Sequence, residues 1–147
     1  RQMCIRDRLH APNLSRGIAF FKSKILKTII DDIAKNSIND SHINYSVKII
    51  EIHHDKKKDA PSGTALDLKK FIEFHLGKDI DIKIESLRDK SSVGRHEVIF
   101  RFDNEEIFVT HNALSRDIFG EGVRHSHFLH QKKPGLYSVE DLLTEDN

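Results

Sequence analysis

The sequence predicts an α+β domain built on a single mixed β-sheet of about four strands covered by helices. Three observations predict it. Two-residue apolar alternation recurs in separate runs near residues 45, 80, 96 and 105. Three- and four-residue apolar spacing marks helical runs near residues 16, 64 and 117. The runs are ordered helix, strand, helix, three strands, helix, which suits one sheet with helices laid on it. A doubly wound nucleotide fold would alternate strands and helices, and no G-x-G-x-x-G occurs in the chain.

Residues 1–10 lack an apolar period and read as a lead-in outside the fold. The chain begins at Arg1 rather than methionine, and it reads as part of a longer protein. Ala11-Pro12-Asn13-Leu14-Ser15 is a loop. Pro12 turns Ala11 away from helix, and Asn13 or Ser15 is placed to cap the first helix. From Arg16 to about Lys35, Ile18, Phe21, Ile25, Leu26, Ile29, Ile30 and Ile33 form one helical face, with Lys22, Lys24, Lys27, Asp31 and Asp32 on the other. Asn36 to Asn44 is polar and reads as a loop.

Tyr45 to His53 is a strand with apolar residues on both faces, which places it centrally in its sheet. It delivers His53 at its C-terminal end. Ser62 or Thr64 starts a second helix carrying Ala65, Leu66, Phe71, Ile72 and Leu76, and Gly77 stops it. Ile80 to Leu87 alternates as a half-buried strand. Arg88 to Arg95 is a polar loop, and His96 to Phe102 is a strand with Val98, Phe100 and Phe102 on one face. Asp103-Asn104 is a hairpin turn in which Asn takes positive φ. Glu105 to His111 returns. A last helix covers about Asp117 to Gln131, with Ile118, Phe119, Val123, His127 and His130 on one face, and Pro134-Gly135 breaks it. The domain thus runs over 11–143, and 144–147 is a frayed tail.

Composition narrows the function. At 147 residues, 37% hydrophobic and 32% charged, the chain suits one folded domain with its own core. A formal net charge of +1 argues against nucleic acid as partner. The single cysteine, Cys4, allows no internal disulfide and fits a reducing compartment, the cytoplasm. No apolar run approaches the roughly 18 residues that span a bilayer, and no signal-peptide core is visible.

The chemistry concentrates in Glu51-Ile-His-His-Asp-Lys-Lys-Lys-Asp-Ala-Pro-Ser-Gly-Thr-Ala-Leu66. Two imidazoles end a strand, three lysines come next, and a helix begins. Gly63 and Thr64 sit in the first turn of that helix, whose unpaired amides and dipole favour an anion, and Gly63 lets a ligand approach the backbone. The other reading of the same residues is a simple cap with solvated lysines. His53 and His54 point to opposite faces of the strand, so they do not chelate one metal together. No H-E-x-x-H is present to support zinc. Proton transfer suits them better, although one of the two also reads as a satisfied core histidine.

The same stretch resembles the signature of the dihydrodipicolinate reductase family, also called 4-hydroxy-tetrahydrodipicolinate reductases. Ala11 to Ser15 resembles the loop joining the family's dinucleotide domain to its substrate domain. Arg88 with Val93-Gly94-Arg95-His96 resembles its R-x-G-x-x-x-G-x-H segment. Thr110-His111, Ser115-Arg116, Phe119, Gly122 and Arg124 resemble its T-H…S-R…F…G…R run, and Lys133 to Tyr137 its K-P-G-L-Y. The likeness is collinear over about Ala11 to Leu143.

The resemblance implies a reduction driven by NADPH or NADH on the diaminopimelate route to lysine, in a cytoplasmic homotetramer. It matches His53 to the catalytic acid/base, Lys57 to the proton-donating lysine and His54 to a substrate contact. Gly63 and Thr64 match backbone donors to a substrate carboxylate. Ala11, Pro12, Asn13 and Leu14 match a segment touching the cofactor. It implies no metal, no membrane and no nucleic acid, and it implies a nucleotide domain upstream of Ala11. Lys90 stands where the family commonly has glycine, and Leu14 where phenylalanine is common. The competing readings are a catalytically inactive dicarboxylate-binding oligomerisation module and a zinc protein.

Overall fold

The computed structural model of the chain describes residues 8–39, 45–77 and 80–143. Its main sheet has four strands: β2 (Tyr45–His53), β3 (Ile82–Arg88), β4 (Gly94–Phe102) and β5 (Glu105–Ala113), in the order β3-β2-β4-β5. β2 pairs parallel with β3 and antiparallel with β4, so the sheet is mixed and β2 is internal, as its two apolar faces predict. A short β1 (Arg8–His10) pairs parallel with β6 (Leu136–Ser138) in a second sheet. Residues 8–10, which read as lead-in from the sequence, are therefore ordered against the far end of the chain. Three residues carry too little pattern for such a pairing to be legible.

Ser15 caps the first helix, its hydroxyl accepting from the Ile18 N–H at 3.3 Å. Helix α1 (Arg16–Phe20) passes through a π-helical stretch (Phe21–Leu26) into α2 (Lys27–Asn39). The backbone of Asn36 to Asn39, expected as loop, is helical; residues 40–44 of that expected loop lie outside the described residues. The wider π turn shifts the phase of the faces. Lys22, expected in solvent, is 8% exposed, and Ile25, expected inside, is exposed. Lys22 Nζ reaches Asp67 Oδ2 at 2.6 Å and Glu140 Oε1 at 2.5 Å, tying the helix to α3 (Gly63–Leu76) and to the C-terminal 3-10 turn (Glu140–Leu143). Burial alone would lower the Lys22 pKa, but its hydrogen bonds to Asp67 and Glu140 outweigh burial and raise it.

Helix α3 is capped by Ser62, whose hydroxyl accepts from Ala65 N–H at 3.2 Å, and it stops at Gly77, φ 98°. Leu26, Ile30, Leu68 and Ile72 bury themselves completely against Val47, Ile49, Val98 and Phe100 of the sheet. Each such side chain stabilises the fold by about 1.5–3 kcal/mol. Leu66, expected in that core, is exposed. The β4–β5 turn carries its positive φ (35°) at Asp103, one residue before the Asn expected to take it. β3 starts two residues later than expected and includes Arg88, while Gly94 and Arg95, expected in the loop, open β4.

The last helix is α4 (Asp117–His125), continued by a 3-10 stretch (Ser126–Gln131). Val123 and His127 of its expected inner face are exposed; the side chain of His130 lies outside the described residues. The change of helix type breaks the 3.6-residue period on which that face rests. A smaller core of Ala19, Leu129 and Val139, with Leu9 and Ala11 against it, seats this end of the chain.

Candidate active site

Strand alternation puts Val47, Ile49, Glu51 and His53 on the helix-covered face of β2. Register then extends a polar row across the sheet: Ser86, Glu51, His96 and His111 are consecutive cross-strand partners on β3, β2, β4 and β5. The apolar face ends at this row, and the ends of the strands open into a cleft of about 470 Å³. Its walls include His53, His54, Lys57, Gly63, Thr64 and the segment Ala11-Pro12-Asn13-Leu14, so every sequence-predicted site residue lines one cleft. His96, His111 and Arg116 line it as well. None of those three is assigned a site role by the sequence, because the register that brings the two histidines beside His53 is a long-range property.

His53 is buried and its ring meets that of His96 edge-on, centroids 5.1 Å apart. Its Nδ1 lies 3.6 Å from Glu51 Oε2. His54 is half-buried at the rim, and its carbonyl accepts the Lys57 N–H at 3.1 Å, closing the turn that carries the lysine. Lys57 Nζ rests on Asp59 at 2.7 and 2.8 Å. Lys56 and Lys58 are exposed or nearly so at the surface of this turn, and neither lines the cleft. Arg88 fixes the turn from β3: Nη2 donates to Asp59 O at 2.7 Å and Nε to Lys57 O at 3.4 Å.

Gly63 is exposed, and a Cβ there would meet no atom within 4 Å, so the space before the α3 N-terminus is open to a ligand. Ser62 is used as the cap. Thr64 is buried, and its hydroxyl accepts from Asn13 Nδ2 at 3.0 Å, which pins the 11–14 segment to the first turn of α3. Asn13 Oδ1 in turn accepts the Ser15 N–H at 2.9 Å.

Burial holds the His53 imidazole below its ordinary pKa; Glu51 opposes this, and Lys57 and Arg88 reinforce it. Burial, with His53 beside it, pushes His96 down to about 3. Burial also lowers His111. At Glu51 burial raises the pKa, but hydrogen bonds from Ser62 and Ser86 outweigh it and the carboxyl titrates below its usual range. The site is thus a charged carboxylate among neutral imidazoles.

One consequence is acid lability. Unfolded His96 takes a proton near 6.5, and folded His96 only near 3. Between those values the unfolded chain binds more protons, so stability is full above the higher value and falls as pH drops, by about 1.4 kcal/mol per pH unit. Glu51 acts in the same direction lower down. Urea unfolding at pH 7.5 and 5.0 is expected to differ by about 2 kcal/mol from His96 alone, and His96→Gln is expected to flatten the slope. Equal stabilities at the two pH values would refute the assignment.

Comparison with known proteins gives a consistent set. The family model described as "Dihydrodipicolinate reductase, C-terminus" matches residues 24–143. The chain is similar to the 4-hydroxy-tetrahydrodipicolinate reductase of Geotalea daltonii, 34% identical over 90% of this chain and 54% of that protein. It is 37% identical to that of Syntrophotalea carbinolica over 90% and 54%. A solved structure, the dipicolinate-bound dihydrodipicolinate reductase from Paenisporosarcina sp. TG-14, has the same fold, with a TM-score of 0.68 at 24% identity over 90% of this chain and 53% of that one. The chain spans about half the length of the curated relatives it matches.

Proposed function

The chain belongs to the dihydrodipicolinate reductase family, matching its C-terminal part, and from this premise we propose that it is the substrate half of a 4-hydroxy-tetrahydrodipicolinate reductase. The observation that carries the reading is the single cleft on which His53, His54, Lys57, the α3 N-terminus and the 11–14 segment converge. Such a cleft suits a small dicarboxylate that accepts a proton. The Paenisporosarcina relative was solved with dipicolinate bound, a planar dicarboxylate ring of that class. This reading assigns the chain to the diaminopimelate route to lysine and to the cytoplasm. Among the described residues no helix is long and apolar enough to cross a membrane.

In this reading the backbone N–H groups of Gly63 and Thr64 hold one carboxylate, where unpaired amides and the helix dipole favour negative charge. His54 contacts the ring at the rim. The substrate hydroxyl leaves as water with a hydrogen from the adjacent ring carbon, and Lys57, as ammonium, then donates the proton that matches the incoming hydride, aided by His53. Ala11, Pro12, Asn13 and Leu14 fit a reduced nicotinamide, being uncharged and lining the cleft beside the proton donors. NADPH or NADH held there supplies the hydride. Holding the ring against that segment contributes much of the rate by orientation.

Assembly is part of the proposal. The sheet face away from the helices carries Ile50, Ile52, Leu87 and Phe108, the last 57% exposed, among charged side chains. Exposed Leu87 and Phe108 beside half-buried Ile50 and Ile52 fit pairing between copies, towards a homotetramer. A module that binds the dicarboxylate and assembles without turnover is the second reading, favoured by the closure of Lys57 onto Asp59.

Gly63→Ala separates ligand from fold. A methyl there meets no atom outside its chain neighbours and its own helical turn, so the melting temperature is expected to hold. Dipicolinate affinity, read by calorimetry, is expected to fall about tenfold or more, because the methyl occupies the ligand's approach. Unchanged affinity would remove the α3 N-terminus from the site. Sedimentation equilibrium on the unsubstituted protein reads assembly, and a monomer at micromolar concentration would count against the tetramer.

A further inference from the structure

We propose that Glu51 is the positioning residue of this site, a buried carboxylate that sets the His53 ring and braces the Lys57 turn. The inference rests on the reductase reading of the cleft. Glu51 is 0% exposed in a strand where an aliphatic residue would pack at less cost. Its surroundings show what the charge does. Both carboxylate oxygens accept the Ser62 N–H, at 3.0 and 3.1 Å, which anchors the start of α3. Ser86 donates to it from β3. Arg88 Nη1 stands 3.8 Å away, and the same guanidinium holds the carbonyls of Lys57 and Asp59.

The fourth neighbour is His53 Nδ1, 3.6 Å from Oε2, a buried nitrogen with no hydrogen-bond partner among the described residues. Hydrogen bonds of this kind are often long in a ligand-free site and tighten on binding. A carboxylate accepts only, so it selects the tautomer with hydrogen on Nδ1. Nε2 then faces Gly94 at the cleft wall, where a Cβ would lie 3.2 Å from it. One carboxylate therefore registers three parts: the imidazole, the carboxylate-binding helix end and, through Arg88, the lysine turn.

The ligand atoms of Glu51, His53 and His96 also lie within 4.8 Å of one another, a spacing a divalent cation can use. The charges present weigh against it. Ser62 and Ser86 already engage the carboxylate, and Arg88 and Lys57 bring positive charge from the adjoining strand and turn. Asp59 faces Lys57, and His111 faces His96.

Two measurements test the proposal. Nitrogen-15 NMR of the chain reads the ring tautomer of His53 without any turnover. The Nδ1–H form is expected; the Nε2–H form, or a shift of the His53 and His96 ring-nitrogen signals that is complete at one equivalent of zinc, would overturn the assignment. In the chain joined to a family-type dinucleotide domain, Glu51→Gln is expected to lower kcat about 10²-fold with KM little changed. The limb of the pH profile set by His53 is expected to move about one unit to lower pH, because the imidazolium loses its counter-charge. Glu51→Asp is expected to recover part of both. A Glu51→Gln enzyme that melts earlier yet keeps its kcat and pH profile would make Glu51 a helix anchor only and sink the proposal. If the unsubstituted joined enzyme does not turn over, the reductase reading fails, while the tautomer result still stands or falls by itself.

Discussion

Lys57→Ala, in the chain joined to a family-type dinucleotide domain, is expected to lower turnover by about 10²- to 10⁴-fold, the usual contribution of a positioned proton donor. Nicotinamide oxidation with the hydroxylated ring substrate generated in situ measures it. The fold is expected to survive, for reasons visible in the turn. The Lys57 N–H to His54 O bond and the two Arg88 bonds to carbonyls all use backbone atoms that alanine keeps. The lost ion pair is with Asp59, which is exposed and gains water in exchange, so the stability change is about 0–1 kcal/mol. Lys57 alone among the three lysines lines the cleft, so Lys56→Ala and Lys58→Ala are the internal controls and should turn over normally. A soluble Lys57→Ala enzyme with undiminished turnover would remove the lysine from the chemistry. It would also favour the binding-module reading, in which the lysine only closes on Asp59.

The parts of this site that are legible in the sequence are those set by local periodicity. The run from Tyr45 to His53 alternates with apolar residues on both faces, and it forms the internal strand with His53 at its end. Ser62-Gly63-Thr64 reads as a helix start, and Ser62 caps. Glu51 is within reach of the same rule, since a residue two before His53 in a strand shares its face. With apolar residues on both faces, however, periodicity does not say that this carboxylate is buried, which the fold alone shows. His96 and His111 are not within reach, because only strand register brings them alongside Glu51. Lys22 falls on the wrong face because a helical wheel assumes 3.6 residues per turn throughout, and the π stretch does not keep it. The pairing of Arg8–His10 with Leu136–Ser138 joins segments far apart in the chain and has no local signature at all.

Gly122→Ala is expected to be the most damaging of the glycine-to-alanine changes. Gly122 is buried in α4, and a Cβ there would lie 1.9 Å from the Leu14 carbonyl oxygen and 2.8 Å from its carbon. Those are backbone atoms, so no rotamer relieves the clash, and either α4 or the 11–14 segment must move. The segment is not free to yield quietly. Asn13 is bonded to Thr64 and to the Ser15 N–H, and Ser15 caps α1. Displacement therefore reaches the α3 first turn and the proposed nicotinamide contact together. Overpacking of this kind costs about 1–3 kcal/mol, which exceeds the helix-propensity gain of up to about 1 kcal/mol that replacing glycine brings. Gly120 supplies the control in the same helix, since a Cβ there meets nothing within 4 Å. Gly120→Ala should raise the melting temperature slightly, and Gly122→Ala should lower it by several degrees while weakening dipicolinate binding and turnover. If both substitutions stabilised the protein alike, α4 would not rest on the 11–14 segment in solution, and that segment's place in the cleft would have to be redrawn.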